Sequence, residues 1–126
     1  MILLTVDEVA ELHEKVVKAT GGSQGIRDAG LLESSVLGCY QTFDGDDLYP
    51  TLTEKAGRLA YMICKNHPFV DGNKRAAVIS MLVILRMNDV ILSYTQRELI
   101  ALGLGIASSG IEYEDIVLWI NEHIVK

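Results

Sequence analysis

Basic residues are in short supply: 11 lysines and arginines face 17 aspartates and glutamates over 126 residues, for a net charge of −6. So acidic a chain has no broad surface for a polyanion, and nucleic acid is not an expected partner. Cysteine is nearly absent too. Cys39 and Cys64 stand far apart within apolar helical patterns, with no Cys-x-x-Cys pair or Cys/His ligand spacing. That excludes a zinc site or redox pair and leaves two buried free thiols, as in a reducing cytoplasm. Long hydrophobic runs are missing as well. The longest, Ala76 to Leu85, is broken by Ser80 and reaches about half of the roughly 20 residues that a membrane helix needs. The opening MILLTVDEV has neither the positive region nor the extended apolar core of a secretory leader. These absences predict a cytoplasmic protein without a membrane partner. What remains is an ordinary globular composition, 49% hydrophobic and 22% charged, at a length that predicts one domain over residues 1–126.

Helix-start signals recur along that length. TVDE (Thr5 to Glu8), TLTE (Thr51 to Glu54) and TQRE (Thr95 to Glu98) each fit the capping box, in which Thr and Glu satisfy orphan backbone donors reciprocally. Behind the first, Val6, Val9, Ala10, His13, Val16 and Val17 share one helical face, ended by Gly21-Gly22. Asp28 caps a second predicted helix carrying Leu32, Val36, Cys39, Tyr40 and Phe43. After the loop DGDDLYP, a third has its stripe at Leu52, Ala56, Leu59, Ala60 and Ile63. Pro68 stops it, because the residue before a proline avoids the helical region. A turn through Asp71-Gly72 restarts the chain as NKRAAVISMLVILRMND. This helix is apolar nearly all round from Ala76 to Met87, the pattern of a buried helix. Two more are predicted from about Thr95 to Ala107 and from about Glu112 to Ile124, the last using Ile116, Val117, Ile120 and Ile124. Only VILSY, residues 90–94, reads as a short strand. The expectation is an all-α fold with a central buried helix.

The start of that central helix is unusual. Lys74 and Arg75 occupy its first turn, where the dipole favours acids and each cation costs about 0.3–1 kcal/mol. Free N–H groups and the dipole already make such a terminus an anion site. Gly72 lets the backbone approach a ligand closely, and Arg can grip phosphate oxygens in a fork. Asp71 can hold Mg²⁺, which prefers one or two carboxylates together with substrate phosphates. Histidine is the side chain that exchanges protons near neutrality, and His67 ends the preceding helix. Taken singly, each residue has a plainer reading: Asp71 or Asn73 as a cap, Lys74 and Arg75 as partners of surface acids, His67 as a helix-end residue. Taken together, base, carboxylate and phosphate cradle in one short stretch are a rarer coincidence than any of the parts.

The stretch HPFVDGNKR, His67 to Arg75, resembles the signature of the Fic/Doc superfamily, H-P-F-x-D-G-N followed by Gly or Lys and then Arg. Lys74 resembles the death-on-curing (Doc) branch rather than the adenylylating Fic branch, which has Gly there. GGSQGIRDAGLLESSV, YPTLTEKAGRLAYMI and LRMND also resemble the Doc pattern, so the likeness covers most of the chain. It implies a compact six-helix domain with the motif loop between two central helices. It further implies that His67 is the general base on a target hydroxyl and that Asp71 holds Mg²⁺ on the phosphates of ATP. By the same likeness Gly72 and Asn73 belong to the anion-binding turn, Lys74 and Arg75 contact phosphates, and Phe69 anchors the loop in the core.

Adenylylating members carry a second Arg where this chain has Val78. Doc proteins bind ATP reversed, so the resemblance implies transfer of the γ-phosphate to a Ser/Thr hydroxyl. The expected target is elongation factor Tu, with translation blocked, and a separate antitoxin is the expected inhibitor. The internal inhibitory pattern [S/T]-x-x-x-E-[G/N] has no match, since Ser108 to Tyr113 ends in Tyr. Two alternatives stand beside this reading: AMP transfer to a protein hydroxyl, and a catalytically silent Fic-like binding partner.

Other residues are read plainly. His13 and His123 are core or surface histidines, with no carboxylate spaced to complete a metal site. DGDDLYP has Tyr49 where a calcium loop needs Gly, and is read as a solvated loop and candidate flap. Trp119 should be partly buried. Arg86 is costly in an apolar helix unless it reaches a carboxylate or the helix's far end.

Overall fold

The computed structural model describes residues 1–125. Its six helices are α1 (Val6–Thr20), α2 (Ala29–Leu37), α3 (Leu52–Asn66), α4 (Asn73–Met87), α5 (Gln96–Ala107) and α6 (Tyr113–His123). The capping boxes explain two of the starts in full. Thr5 accepts from the Glu8 N–H while the Glu8 carboxylate accepts from the Thr5 N–H, and Thr95 and Glu98 repeat the exchange. At Thr51 only half of it forms. Its hydroxyl accepts from the Glu54 N–H but donates to the Glu54 carboxylate, which therefore does not reach the backbone. Each such cap stabilises its helix by about 1 kcal/mol.

α4 is the buried central helix expected, and α3 shares the core with it. α3 and α4 pack along each other, α1 and α5 lie against α4, and α2, α5 and α6 lie against α3. Leu59 and Ile63 of α3 and Met81, Ile84 and Leu85 of α4 are buried, at about 1.5–3 kcal/mol for each large side chain removed from water. Both thiols are free and buried, and desolvation pushes each up to about 11. Among the described residues no helix is long and apolar enough to cross a membrane.

Three expectations are corrected, for the second helix, the loop after it and the VILSY strand. The second helix stops at Leu37 and tightens into a 3₁₀ turn over Gly38–Tyr40, so Tyr40 and Phe43 leave its stripe and are exposed, Phe43 by 75%. The following loop contains a hairpin, β1 (Thr42–Phe43) with β2 (Asp46–Asp47), joined by Asp44 and Gly45 at φ 51° and 86°. Asp-Gly is a strong two-residue hairpin signal, because a type I′ turn needs positive φ at both positions. Buried Lys55 ties the hairpin to α3, donating to the Cys39 carbonyl at 3.0 Å and meeting Asp47 at 3.4 Å. Arg86 is exposed in the last turn of α4 and has no carboxylate partner among the described residues; there its charge complements the helix dipole. The VILSY strand shrinks to a bridge between Leu92 and Ile124.

Candidate active site

α3 and α4 meet at a turn that holds the whole motif. α3 ends at His67, whose φ of 48° and ψ of 56° are left-handed, a conformation sparsely populated by non-glycine residues and concentrated at functional sites. Pro68 forces this ending, since the helix cannot continue into it. Arg27 holds the strained end in place. Its guanidinium donates to the carbonyls of His67 at 2.6 Å and Asn66 at 2.9 Å, the orphan acceptors of the α3 terminus. The imidazole is exposed.

Gly72 starts α4 from the left-handed region at φ 74°. No side chain caps this helix, so neither Asp71 nor Asn73 plays the capping part. Among the described residues, the N–H groups of Asn73, Lys74 and Arg75 have no hydrogen-bond partner. That is the arrangement of an anion site. Asn73 is turned inward instead. Its amide oxygen accepts from the Phe69 N–H at 2.9 Å and its amide nitrogen donates to the Phe69 carbonyl at 3.0 Å. The same nitrogen lies 3.4 Å from Nδ1 of His67, at the outer limit of a hydrogen bond. What Asn73 offers an anion is therefore its backbone N–H, while its side chain links the His67 imidazole to the turn.

Asp71 is fixed by a second segment. The loop after α1 runs antiparallel to the motif, with the Val70 N–H on the Gly25 carbonyl and the Arg27 and Asp28 N–H groups on the Pro68 carbonyl. It brings the Ser23 N–H to one carboxylate oxygen of Asp71 at 3.0 Å, while Gly72 N–H donates to the other at 2.8 Å. Those two bonds, and after them the charge of Arg75, hold the carboxyl below the usual carboxylate range. Each oxygen keeps a lone pair for a cation, whose remaining ligands would come from phosphate and water, as Mg²⁺ prefers. Among the described residues no group of three or more His, Cys, Asp or Glu side chains could hold a metal by itself.

The two cations differ. Arg75 is steadied by the Thr20 hydroxyl, the Gly21 carbonyl and, at 3.8 Å, Asp71. Lys74 is exposed and forms no ion pair among the described residues. Both border a groove of about 480 Å³ between α1, α4 and α5, with Val16, Val78, Leu99 and Leu104 on its walls. Phe69 is buried as expected, its ring stacked on His13.

The turn thus gathers His67, Asp71, Gly72, Asn73, Lys74 and Arg75 at one place, although no hydrogen bond joins His67 to Asp71. Reading the sequence missed Thr20, Gly22, Ser23 and Arg27. Their signal was the Gly-Gly pair closing α1, which marked a helix end but not the segment it would meet. His123 proves to be a surface partner of Glu98 at 2.7 Å.

A family model described as Fic/DOC family matches residues 3–85. Toxin Doc of Mycolicibacterium smegmatis is 42% identical over 72 residues, which cover 57% of this chain and 55% of that protein. The match therefore spans little more than half the length of that relative. Protein kinase doc of Escherichia phage P1 is 28% identical over 113 residues, covering 90% of this chain and 88% of its own. The family match takes in α1, the loop that pins Asp71, the motif turn and most of α4, and the chain belongs to the Fic/DOC family.

Proposed function

We propose that residues 1–126 act as one unit, a Doc-type toxin of a toxin–antitoxin module that moves the γ-phosphate of ATP to a Ser/Thr hydroxyl of a translation protein. The observation that carries this reading is the juxtaposition of an exposed histidine, strained at the end of α3, with the uncapped start of α4. The names of the two relatives, one a toxin and one a protein kinase, support it. The site suits the group it would bind: three unpartnered N–H groups, Lys74 and Arg75 match phosphate oxygens, and Asp71 suits Mg²⁺. When bound, MgATP supplies the transferable phosphoryl group and the neutralising charge.

The protein's own part is positioning and electrostatics, as in other phosphoryl transfers. His67 would take the proton of the attacking hydroxyl at a ring nitrogen as the new O–P bond forms, and the bond from the γ-phosphorus to ADP would break, with ADP leaving. The N–H groups of residues 73–75 hold phosphate oxygens, with Lys74 and Arg75 adding charge. Asp71 would hold the metal. Val78 lines the groove where an adenylylating relative has its second Arg, which favours phosphate over AMP as the transferred group.

Elongation factor Tu is the proposed target and the cytoplasm the proposed site of action. A separate antitoxin is the proposed inhibitor, laying an amphipathic helix in the groove beside Lys74 and Arg75, where Ile100 and Leu104 are more than half exposed. The test uses purified protein, Mg²⁺ and bacterial lysate, with ATP labelled at the α- or γ-phosphate and His67→Ala as the blank. Label from γ alone supports the reading, and the labelled band names the target. Label from α overturns it in favour of AMP transfer. No label in either tube, after any bound antitoxin is removed, points to a catalytically silent binding protein.

A further inference from the structure

His13 belongs to α1, far from the motif in sequence, and it is 2% exposed. Its apolar stripe accounts for the burial but not for where its polar atoms go. Nε2 lies 2.7 Å from the backbone carbonyl of Asp71. A carbonyl only accepts, so Nε2 carries the proton. The ring also stacks on Phe69, centroids 3.7 Å apart and planes within 2°. Phe69 is the residue whose N–H and carbonyl are both held by Asn73. The turn between Phe69 and Gly72 is therefore gripped at two points. Asn73 and the stacked ring fix its start, and the His13 N–H fixes the peptide that carries the Asp71 carboxylate.

From this geometry we infer that His13 is a positioning residue for Asp71, acting by its N–H on the Asp71 carbonyl and not merely as core filling. The inference rests on the proposed role of Asp71 as the metal carboxylate. Two backbone N–H groups aim the carboxylate itself. They can do so only while the main chain of Asp71 keeps its place, and the His13 N–H is the side-chain contact that holds it there. Partners that orient a metal ligand typically change metal affinity or activity by about 10–100-fold when removed. A grip on the ligand's carbonyl should fall at the lower end of that range.

The test separates the N–H from the ring. His13→Gln keeps an amide N–H at a similar reach but loses the stack; His13→Phe keeps the stack but loses the donor. Mn²⁺ affinity of the ATP-bound protein is read by electron paramagnetic resonance, and metal-free ATP affinity by calorimetry. The expected result is Mn²⁺ binding about tenfold weaker in His13→Phe and restored in His13→Gln, with metal-free ATP affinity unchanged in both. A merely structural role would instead disturb nucleotide binding with or without metal. Equal Mn²⁺ affinity in wild type and His13→Phe overturns the inference, as does equal weakening in both variants. Failure of the wild type to bind Mn²⁺ with ATP is a different outcome, and it sinks the proposed role of Asp71 and this inference with it. Should His13→Phe not fold, the ring ¹⁵N shifts of the unaltered protein decide. A proton on Nε2 supports the assignment, and an unprotonated Nε2 refutes it.

Discussion

Gly22→Ala is the sharpest probe of how the α1 loop serves the site. Gly22 has φ 110°, and a Cβ built there would sit 2.6 Å from one carboxylate oxygen of Asp71 and 3.1 Å from Nη2 of Arg75. To reach ordinary contact at 3.4 Å, the carboxylate or the loop must retreat by about 0.8 Å. The carboxylate is not free to swing, since Ser23 and Gly72 hold its two oxygens. Misplacement of a reacting group by about 1 Å costs on the order of 10²-fold in rate, and a loss near that size is expected in γ-phosphate transfer. The backbone strain is a separate effect, about 1–3 kcal/mol for a side chain at such a φ, and for a chain of this length each kcal/mol lowers Tm by about 3–5 °C. Gly21→Ala is the control. Gly21 lies at φ 90° and ψ 171°, equally unsuited to alanine, but nothing stands within 4 Å of its Cβ position. Both variants should therefore melt earlier by similar amounts, and Gly22→Ala should lose far more transfer activity than Gly21→Ala, which reaches the site only through the Gly21 carbonyl on Arg75. If the two variants transfer phosphate equally well, the loop does not set Asp71 and the reasoning fails.

Three further expectations follow from the same geometry. His67→Gly should abolish transfer while leaving thermal stability unchanged or raised by up to about 1 kcal/mol, because glycine accepts the left-handed cap without a Cβ penalty; a marked drop in Tm would show that the ring carries structure. Asn73→Ala strips both hydrogen bonds from the buried backbone of Phe69 and should cost about 2–4 kcal/mol in urea titration, with the His67–Phe69 segment losing amide-exchange protection. The His123–Glu98 pair makes stability depend on pH. The Glu98 carboxylate and then the Trp119 carbonyl raise His123 above its ordinary 6.5, and the hydrogen bond from His123 and then the Thr95 backbone lower Glu98 below 4.5. Its contribution is thus full between about pH 4.5 and 6.5, fades as pH rises through the folded His123 value, and fades again as pH falls through the folded Glu98 value. The stability gap between wild type and His123→Gln should accordingly narrow from pH 6 to pH 9 in denaturant titrations, and a constant gap would refute the assignment.

Most of the helical frame was legible because its signals are local. Thr5, Thr51, Thr95 and Asp28 sit beside the helices they cap, and the apolar period of α4 announces its burial. Phe43 misled because it falls at helical spacing from Tyr40 and Val36. Spacing alone does not register that the helix tightens into a 3₁₀ turn at Gly38 and ends before Phe43 enters the hairpin that Asp44 and Gly45 turn. In the motif, the residue types alone suggested the chemistry now proposed. What they touch was another matter. Asn73 reads equally well as a ligand, a cap or a tie, and only the fold shows its amide closing on Phe69. Arg27, Ser23 and His13 stayed silent because their partners lie 40 to 58 residues away, beyond any pattern of period or cap.

Those distant partners also set the order in which the molecule gains and loses its competence. Contacts that close loops of about fifty residues carry an entropic cost that a helical turn does not, and such contacts form late in folding. Ser23 and Arg27 also belong to an exposed segment, the class of structure that opens first. A copy whose α1 loop has come away keeps His67 on its helix and most of its circular dichroism, yet has no fixed carboxylate. The proposed transfer activity should therefore disappear at a lower urea concentration than helicity, so that a newly made or fraying chain is inactive before it is unfolded.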